Sequence, residues 1–264
     1  MREETHLIAV SGGLFSTTLM WQLARQSARG KVFRIHAVHV DLGTAGSAGQ
    51  RAAAGAVAAE LSVPLDVINA RGVGEVIGRV RPPEWVCSDC IGLRCEPRDD
   101  SLRECLRRRG GEPDEDIFFH RVPIWLSIVW YYARAAGIKD VYLGHTAESM
   151  MEHSVHRSPG ELRAFVRQWD AKCRVRLHLP YVRLLDRHVV KRGNNMGLDY
   201  SQTFGCFGDY RVHCGDCFGC FLRREAFVNS GVEDPTVYKT ETGRAAVGEQ
   251  NSGEVGCVVV QEGE

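Results

Sequence analysis

The sequence predicts an α/β fold: a Rossmann-like parallel sheet with flanking helices, followed by a small C-terminal motif built on four cysteines. Three observations predict it. Short apolar runs of β-type residues alternate with helical stretches of roughly 10 to 15 residues, which is the pattern of βαβ units. A Gly-Gly turn, Ser11-Gly12-Gly13, joins the first such run to the first helix. Cys206, Cys214, Cys217 and Cys220 fall within 15 residues near the end of the chain.

The first strand is Leu7 to Val10, which runs into Ser11-Gly12-Gly13, then Ser16-Thr17-Thr18 and a helical pattern over Leu19 to Gln26. Glycines on a strand-to-helix turn let the backbone approach phosphate oxygens. Hydroxyls, free amides and the positive end of the helix supply donors. Ser11, Gly12, Gly13, Leu14, Ser16 and Thr17 are therefore candidates to hold the phosphates of a nucleotide. The spacing is neither Walker A, since no Lys-Ser/Thr follows, nor GxGxxG.

Val32 to Val40 alternates as a second strand ending at Asp41-Leu42-Gly43, Gln50 to Leu61 is an Ala-rich helix, and Pro64 to Ile68 a third strand. Ligands collect at the carboxyl ends of parallel strands, so His39, Val40 and Asp41 are expected on the adenine and ribose side. From about residue 79 to 116 the pattern stops at an insertion holding Pro82-Pro83, Cys87, Cys90, Cys95 and Cys105. These cysteines suit a second zinc, an iron-sulfur site or free surface thiols.

Periodicity returns at Arg121 to Ala136, a buried apolar helix, and at Asp140 to Gly144, a fourth strand. The loop after it, Gly144-His145-Thr146-Ala147-Glu148, reaches the same sheet edge, so Gly144 and His145 join the expected nucleotide site. His145 and Glu148 either act on the ligand or cap a helix. Leu162 to Asp170 reads as a helix, Arg174 to Leu179 as a strand and Asp186 to Met196 as a helix closed by Gly197. Residues 1–200 are thus expected to form the nucleotide-binding domain, 201–239 the metal motif with its helix, and 240–264 a disordered tail. His153 and His156, spaced i, i+3 without a third ligand, read as a solvated face, as do the Arg-rich runs 103–109 and 174–183.

Composition narrows the function. Across 264 residues, 33 basic and 33 acidic side chains cancel, so no global field for nucleic acid exists and direct nucleic-acid binding is not expected. No run approaches the ~20 apolar residues that span a bilayer, and the start, MREETH, is not a signal peptide. The expectation is a cytoplasmic protein with no membrane attachment. Ten cysteines grouped in CxxC units in that compartment point to metal before disulfides. Cys206-x7-Cys214-x2-Cys217-x2-Cys220 offers four thiolates and no spare ligand, with Gly215 and Gly219 relieving the backbone. That describes a closed structural zinc site, with an iron-sulfur cluster as the competitor.

Residues 11–16, Ser-Gly-Gly-Leu-Phe-Ser, resemble the PP-loop SGGxDS of ATP pyrophosphatases. Together with the knuckle CGxCxxCxxR, Ala226-Phe227 and Asp234-Pro235-Thr236-Val237-Tyr238, they resemble the 7-cyano-7-deazaguanine synthase (QueC) family. The resemblance runs with gaps from residue 7 to about 239. It implies a PP-loop α/β fold with a C-terminal zinc motif at Cys206, Cys214, Cys217 and Cys220. It also implies a reaction: ATP, with Mg²⁺, adenylates a 7-carboxy-7-deazaguanine, ammonia displaces AMP to give an amide, and a second ATP drives dehydration to the nitrile. Arg121 with Trp125-Leu126-Ser127 fits the family's Arg-Asn-x-x-Phe-Leu-Ser helix start, so Ser11, Ser16 and Arg121 are the implied catalytic residues.

Several positions depart from that pattern. Phe15 stands where the PP-loop carries Asp, Val122 replaces an Asn, Asp186 stands where a Lys is expected, and residues 157–161 replace a Tyr-Pro-Asp-Cys-Arg segment. A carboxylate suits Mg²⁺ beside the leaving pyrophosphate and a Lys suits charge on the α-phosphate; Phe does neither. Asp41 and Glu148 remain as alternative metal holders. The altered residues leave three readings: a synthase using ammonia, an antiphage relative joining a deazaguanine to a partner protein, and a silent nucleotide- or deazapurine-binding homologue. Partners implied are a small 7-deazapurine, a protein and a second copy of the chain.

Overall fold

A computed structural model describes residues 4–29, 33–43, 46–73, 121–148, 167, 174–207, 212–215 and 217–239. The cysteines of the insertion, His153 and His156, segment 157–161, all but Arg167 of the helix expected over 162–170, and the tail 240–264 lie outside the described residues.

Five parallel strands form one sheet in the order β3-β2-β1-β4-β5: β1 Glu4–Ala9, β2 Phe33–Asp41, β3 Leu65–Asn69, β4 Asp140–Leu143 and β5 Arg176–His178. The helices are α1 Leu14–Ala28, α2 Ser47–Glu60, α3 Arg121–Ala135, α4 Asp186–Asn195 and α5 Phe218–Ser230. Helix α1 starts five residues before its apolar period is visible, because Ser16, Thr17 and Thr18 occupy its first turn. Thr18 is tolerated there by donating its hydroxyl to the Leu14 carbonyl at 2.7 Å.

Strand β1 is buried on both faces, as the central strand of a parallel sheet must be. Ile8 and Val10 pack with Met20, Val57, Val189 and Phe227 on one side, while Leu7 packs with Val38, Val129, Trp130 and Val141 on the other. Register aligns Ala9 with Val38 and with Leu143, so the carboxyl ends of β1 and β4 finish level while β2 runs on to Asp41. The chain first winds outward from β1 through β2 to β3, then crosses back to β4 on its other side. Between β1 and β4 the connections diverge and leave a crevice at the carboxyl edge, where an open α/β sheet takes its ligand. No helix among the described residues is long and apolar enough to cross a membrane.

Candidate functional site

The loop after β1 closes on itself through hydroxyls. Ser16 Oγ accepts from the Ser11 backbone N–H at 3.1 Å and lies 3.0 Å from Ser11 Oγ, which in turn accepts from the Gly13 N–H at 3.3 Å. Gly12 turns the chain at φ +79, and a Cβ there would overlap the carbonyl oxygen of Gln50 on α2. At Gly13 a Cβ would stand 3.3 Å from Ser11 Oγ, inside the concavity. Gly144, at the end of β4, comes so close to the first turn of α1 that a Cβ would lie 2.7 Å from the Phe15 backbone and Ser16 Cα. Ser11, Gly12, Gly13, Ser16 and Gly144 are therefore gathered at the crevice.

The other expected residues divide. Leu14 is part of the core, and Thr17 is fully buried with its Oγ1 unpartnered. His39 is buried against the base of the loop, its Nδ1 2.8 Å from the Val10 carbonyl. Since a carbonyl only accepts, Nδ1 carries the proton; burial holds the ring below its usual pKa, and it is neutral. Val40 packs on the opposite, α3 side of the sheet. His145 stacks on Trp125 with ring centroids 5.9 Å apart. Arg121 is the first residue of α3, but its side chain lies outside the described residues.

Neither Asp41 nor Glu148 faces the loop as a ready metal ligand. Asp41 is 1% exposed and accepts from the Gly43 N–H at 2.9 Å and Arg71 Nε at 3.0 Å, with Arg51 Nη1 at 3.7 Å. Burial pushes its carboxyl up, but the Gly43 N–H and the Arg71 guanidinium outweigh that and leave it below the ordinary range. Glu148 accepts the Asp186 backbone N–H at 2.6 Å, capping α4, so the capping alternative describes what it does. Phe15 turns its ring against the core cluster beneath α1.

Asp186 is buried and accepts from the Thr146 hydroxyl. Burial pushes its carboxyl up to about 6, the Thr146 bond opposing and the Glu148 charge adding. Its folded pKa lies above the unfolded value, so the folded state binds the extra proton between roughly pH 4 and 6, and charging the group costs stability as pH rises through that window. Asp186→Asn should leave stability unchanged near pH 4 and raise it by about 2 to 3 kcal/mol at pH 7. Urea denaturation of both proteins across that range checks it; a difference that does not grow with pH would refute it.

Around the four cysteines the sulfurs converge. Sγ separations are 3.5 Å for Cys206–Cys214 and Cys217–Cys220, 3.8 Å for Cys206–Cys217 and 3.9 Å for Cys214–Cys220, and all four lie within 4.8 Å of one another. One ion with sulfur ligands at about 2.3 Å sets tetrahedron edges of about 3.8 Å, so a single tetrahedral ion fits. A cubane cluster places each cysteine on a separate iron and needs them farther apart. Backbone N–H groups of Phe207, Cys214 and Cys217 point at sulfurs at 3.3 to 3.4 Å, as suits thiolate charge. Sulfur contacts with Cys206 and Cys220 hold the Cys217 thiol well below its usual range.

This module is fastened to the loop. Phe204 donates its N–H to the Gly12 carbonyl at 2.8 Å. Gly46 and Gly49 of the α2 start leave room for the Cys206 carbonyl and the Phe204 ring, the latter 2.5 Å from where a Gly49 Cβ would sit. Arg223, the arginine of CGxCxxCxxR, is 2% exposed and bonds Thr203 Oγ1 and the Tyr200 carbonyl, each at 2.8 Å, and Thr236, with Asp234 at 3.6 Å. It ties Asp234-Pro235-Thr236 to the approach of the knuckle and does not face the crevice. Arg51, Arg71 and Phe204 escaped the sequence reading, whereas Arg223 entered it as the last position of the CGxCxxCxxR knuckle.

Comparison with known proteins bears on this arrangement. The sequence model of the family described as Queuosine biosynthesis protein QueC matches residues 110–231. The chain is 30% identical over 244 residues to the 7-cyano-7-deazaguanine synthase of Marinobacter nauticus, covering 88% of this chain and 96% of that protein. The chain belongs to the QueC family. The 7-cyano-7-deazaguanine synthase of Thiobacillus denitrificans is 27% identical over 246 residues, covering 88% of this chain and 97% of its own length. That of Syntrophobacter fumaroxidans is 34% identical over 128 residues, and the chain spans 54% of its length. Among solved structures, the U34-tRNA thiolase NcsA of Methanococcus maripaludis with its [4Fe-4S] cluster is 12% identical, at a TM-score of 0.46 over 86% of this chain and 66% of that one. The QueC membership accords with a PP-loop on a parallel sheet and a four-cysteine knuckle.

Proposed function

We propose that the chain is an ATP-dependent carbon–nitrogen ligase acting on a 7-deazaguanine carboxylate. The carboxylate oxygen attacks the α-phosphorus of ATP, the bond to the bridging oxygen breaks, and pyrophosphate leaves with the electron pair. An amine nitrogen attacks the acyl carbon, AMP leaves, and the nitrogen gives up a proton to yield an amide. With ammonia as the amine, the amide oxygen attacks the α-phosphorus of a second ATP, pyrophosphate leaves, and departure of AMP with loss of both protons from the nitrogen leaves the nitrile. Mg²⁺ arrives with ATP as part of the substrate.

The observation that carries this reading is the Ser11–Ser16 hydroxyl pair set over Gly13 at the β1/β4 crevice. Its hydroxyls, the loop amides and the positive end of α1 are donors for phosphate oxygens. Ser11 and Ser16 orient the triphosphate, while Arg121, His39, Gly144 and His145 are assigned to the same pocket. Cys206, Cys214, Cys217 and Cys220 hold zinc; with four sulfurs and no open position it shapes the fold and takes no substrate. Gly13→Val should abolish ATP binding in calorimetry, a loss of roughly 100-fold or more for filling the concavity. Unchanged affinity in that variant would remove the loop from the site.

A second reading is favoured by one feature, the partly buried Phe15, packed against the core at the sequence position where the PP-loop carries Asp. In it the chain binds nucleotide or deazapurine without turnover.

A further inference from the structure

At the end of the sheet away from the loop, the first residues of β1, β4 and β5 bring carboxylates and imidazoles onto one face. Register places His6 beside Asp140 and Asp140 beside Arg176, with Glu4 two residues before His6 on the same side of β1. A ring nitrogen of His6 and one carboxylate oxygen each from Glu4 and Asp140 lie within 4.8 Å of one another. The His6 ring is fixed by its neighbours: Phe33 stacks on it with centroids 4.3 Å apart, and Tyr142 with centroids 5.1 Å apart. Its Nδ1 is buried and has no hydrogen-bond partner among the described residues. A buried nitrogen in that condition costs stability unless an ion or a water meets it.

Asp140 is buried, and its carboxylate is held from the far side. His178 Nε2 donates to Oδ1 at 2.6 Å, as does Arg176 Nε at 2.9 Å, while Arg176 Nη2 donates to Oδ2 at 2.6 Å. A carboxylate has about four lone-pair sites, two on each oxygen, so three donors leave one on Oδ2. His178 and Arg176 therefore orient the group, as outer partners orient a metal ligand, without using it up. Two carboxylates against one guanidinium leave the cluster negative, and Glu4 is exposed enough to move. An ion with nitrogen and oxygen ligands at about 2.0 to 2.2 Å sets those atoms about 3 to 4 Å apart, so a small shift of Glu4 closes the set. One imidazole with two carboxylates suits a borderline ion better than Mg²⁺ or Ca²⁺, which take oxygen ligands. We propose that Glu4, His6 and Asp140 bind one divalent transition-metal ion of the manganese-to-zinc series, with water completing its shell. The ion clips β1 to β4 at the end of the sheet opposite the crevice; it is separate from the four-cysteine knuckle and independent of the nucleotide reading of the loop.

The test titrates Mn²⁺ into protein whose knuckle is already loaded with zinc, without nucleotide, while electron paramagnetic resonance counts the free ion. Wild-type protein should bind about one Mn²⁺ per chain and melt at a higher temperature with it than without it. Glu4→Gln and His6→Phe should each weaken binding by about tenfold or more and abolish that thermal gain, and an equal concentration of Mg²⁺ should leave the Mn²⁺ in place. His6→Phe keeps an aromatic ring between Phe33 and Tyr142; if it nevertheless fails to fold, Glu4→Gln, at an exposed position, decides. Wild-type protein that binds no Mn²⁺ at millimolar concentration overturns the site. Mn²⁺ bound with an affinity that both substitutions leave unmoved sits elsewhere and overturns it equally, and ready displacement by Mg²⁺ removes His6 from the ligand set.

Discussion

Cys217→Ser should cost the protein its metal, its thermal stability and its grip on ATP together. Elemental analysis of wild-type protein should find about one zinc per chain, and of the variant close to none. A thermal midpoint lower by roughly 10 °C or more is expected, because binding energy at a structural site is folding energy. The loss of ATP affinity is the more informative part. Cys217 lies far along the chain from the loop, yet Phe204 donates to Gly12 and Cys206 lies over Gly46, so a loosened knuckle withdraws a support from the phosphate cradle. A chelator titrated into wild-type protein should reproduce all three losses in parallel. Metal-free protein with unchanged midpoint would remove the zinc claim, and metal loss with unchanged ATP affinity would remove the coupling.

The strands and helices that bound the crevice were legible because their apolar periods are regular: every strand read from sequence is present, with ends shifted by a few residues. The largest shift is the start of α1, where the polar first turn hides the helical period and the hydroxyl of Thr18 is satisfied by its own helix. The convergence of the four cysteines was legible because cysteine spacing is itself geometry. What sequence left open was how shared groups are divided. Asp41 and Glu148 read as spare carboxylates at the sheet edge, and only their surroundings reveal that one is enclosed by arginines and the other caps α4. Arg71 meets Asp41 through the register of β3 on β2 and Arg51 meets it from α2, which no local motif encodes. Phe15 was visible as a departure, but its consequence depends on where the ring goes.

That ring packs against the core beneath α1, so Phe15→Asp changes two things at once. It removes apolar packing, at a cost of about 1 to 3 kcal/mol, and it places a carboxylate at the second position of α1, where the helix N-terminus favours negative charge. Phe15→Ala shares the first effect without the second and is the needed control. If no other group replaces the missing carboxylate, wild-type protein given ATP, Mg²⁺ and a carboxydeazaguanine should release AMP and pyrophosphate very slowly. Phe15→Asp should raise that rate by about tenfold or more while Phe15→Ala does not, each tenfold being ~1.4 kcal/mol of transition-state stabilisation. The opposite result is as clear: brisk turnover by wild-type protein, with Phe15→Asp neutral or slower, would discard the silent reading. Charge on the leaving pyrophosphate would then be met without that carboxylate, by donors such as the hydroxyls and amides of the loop.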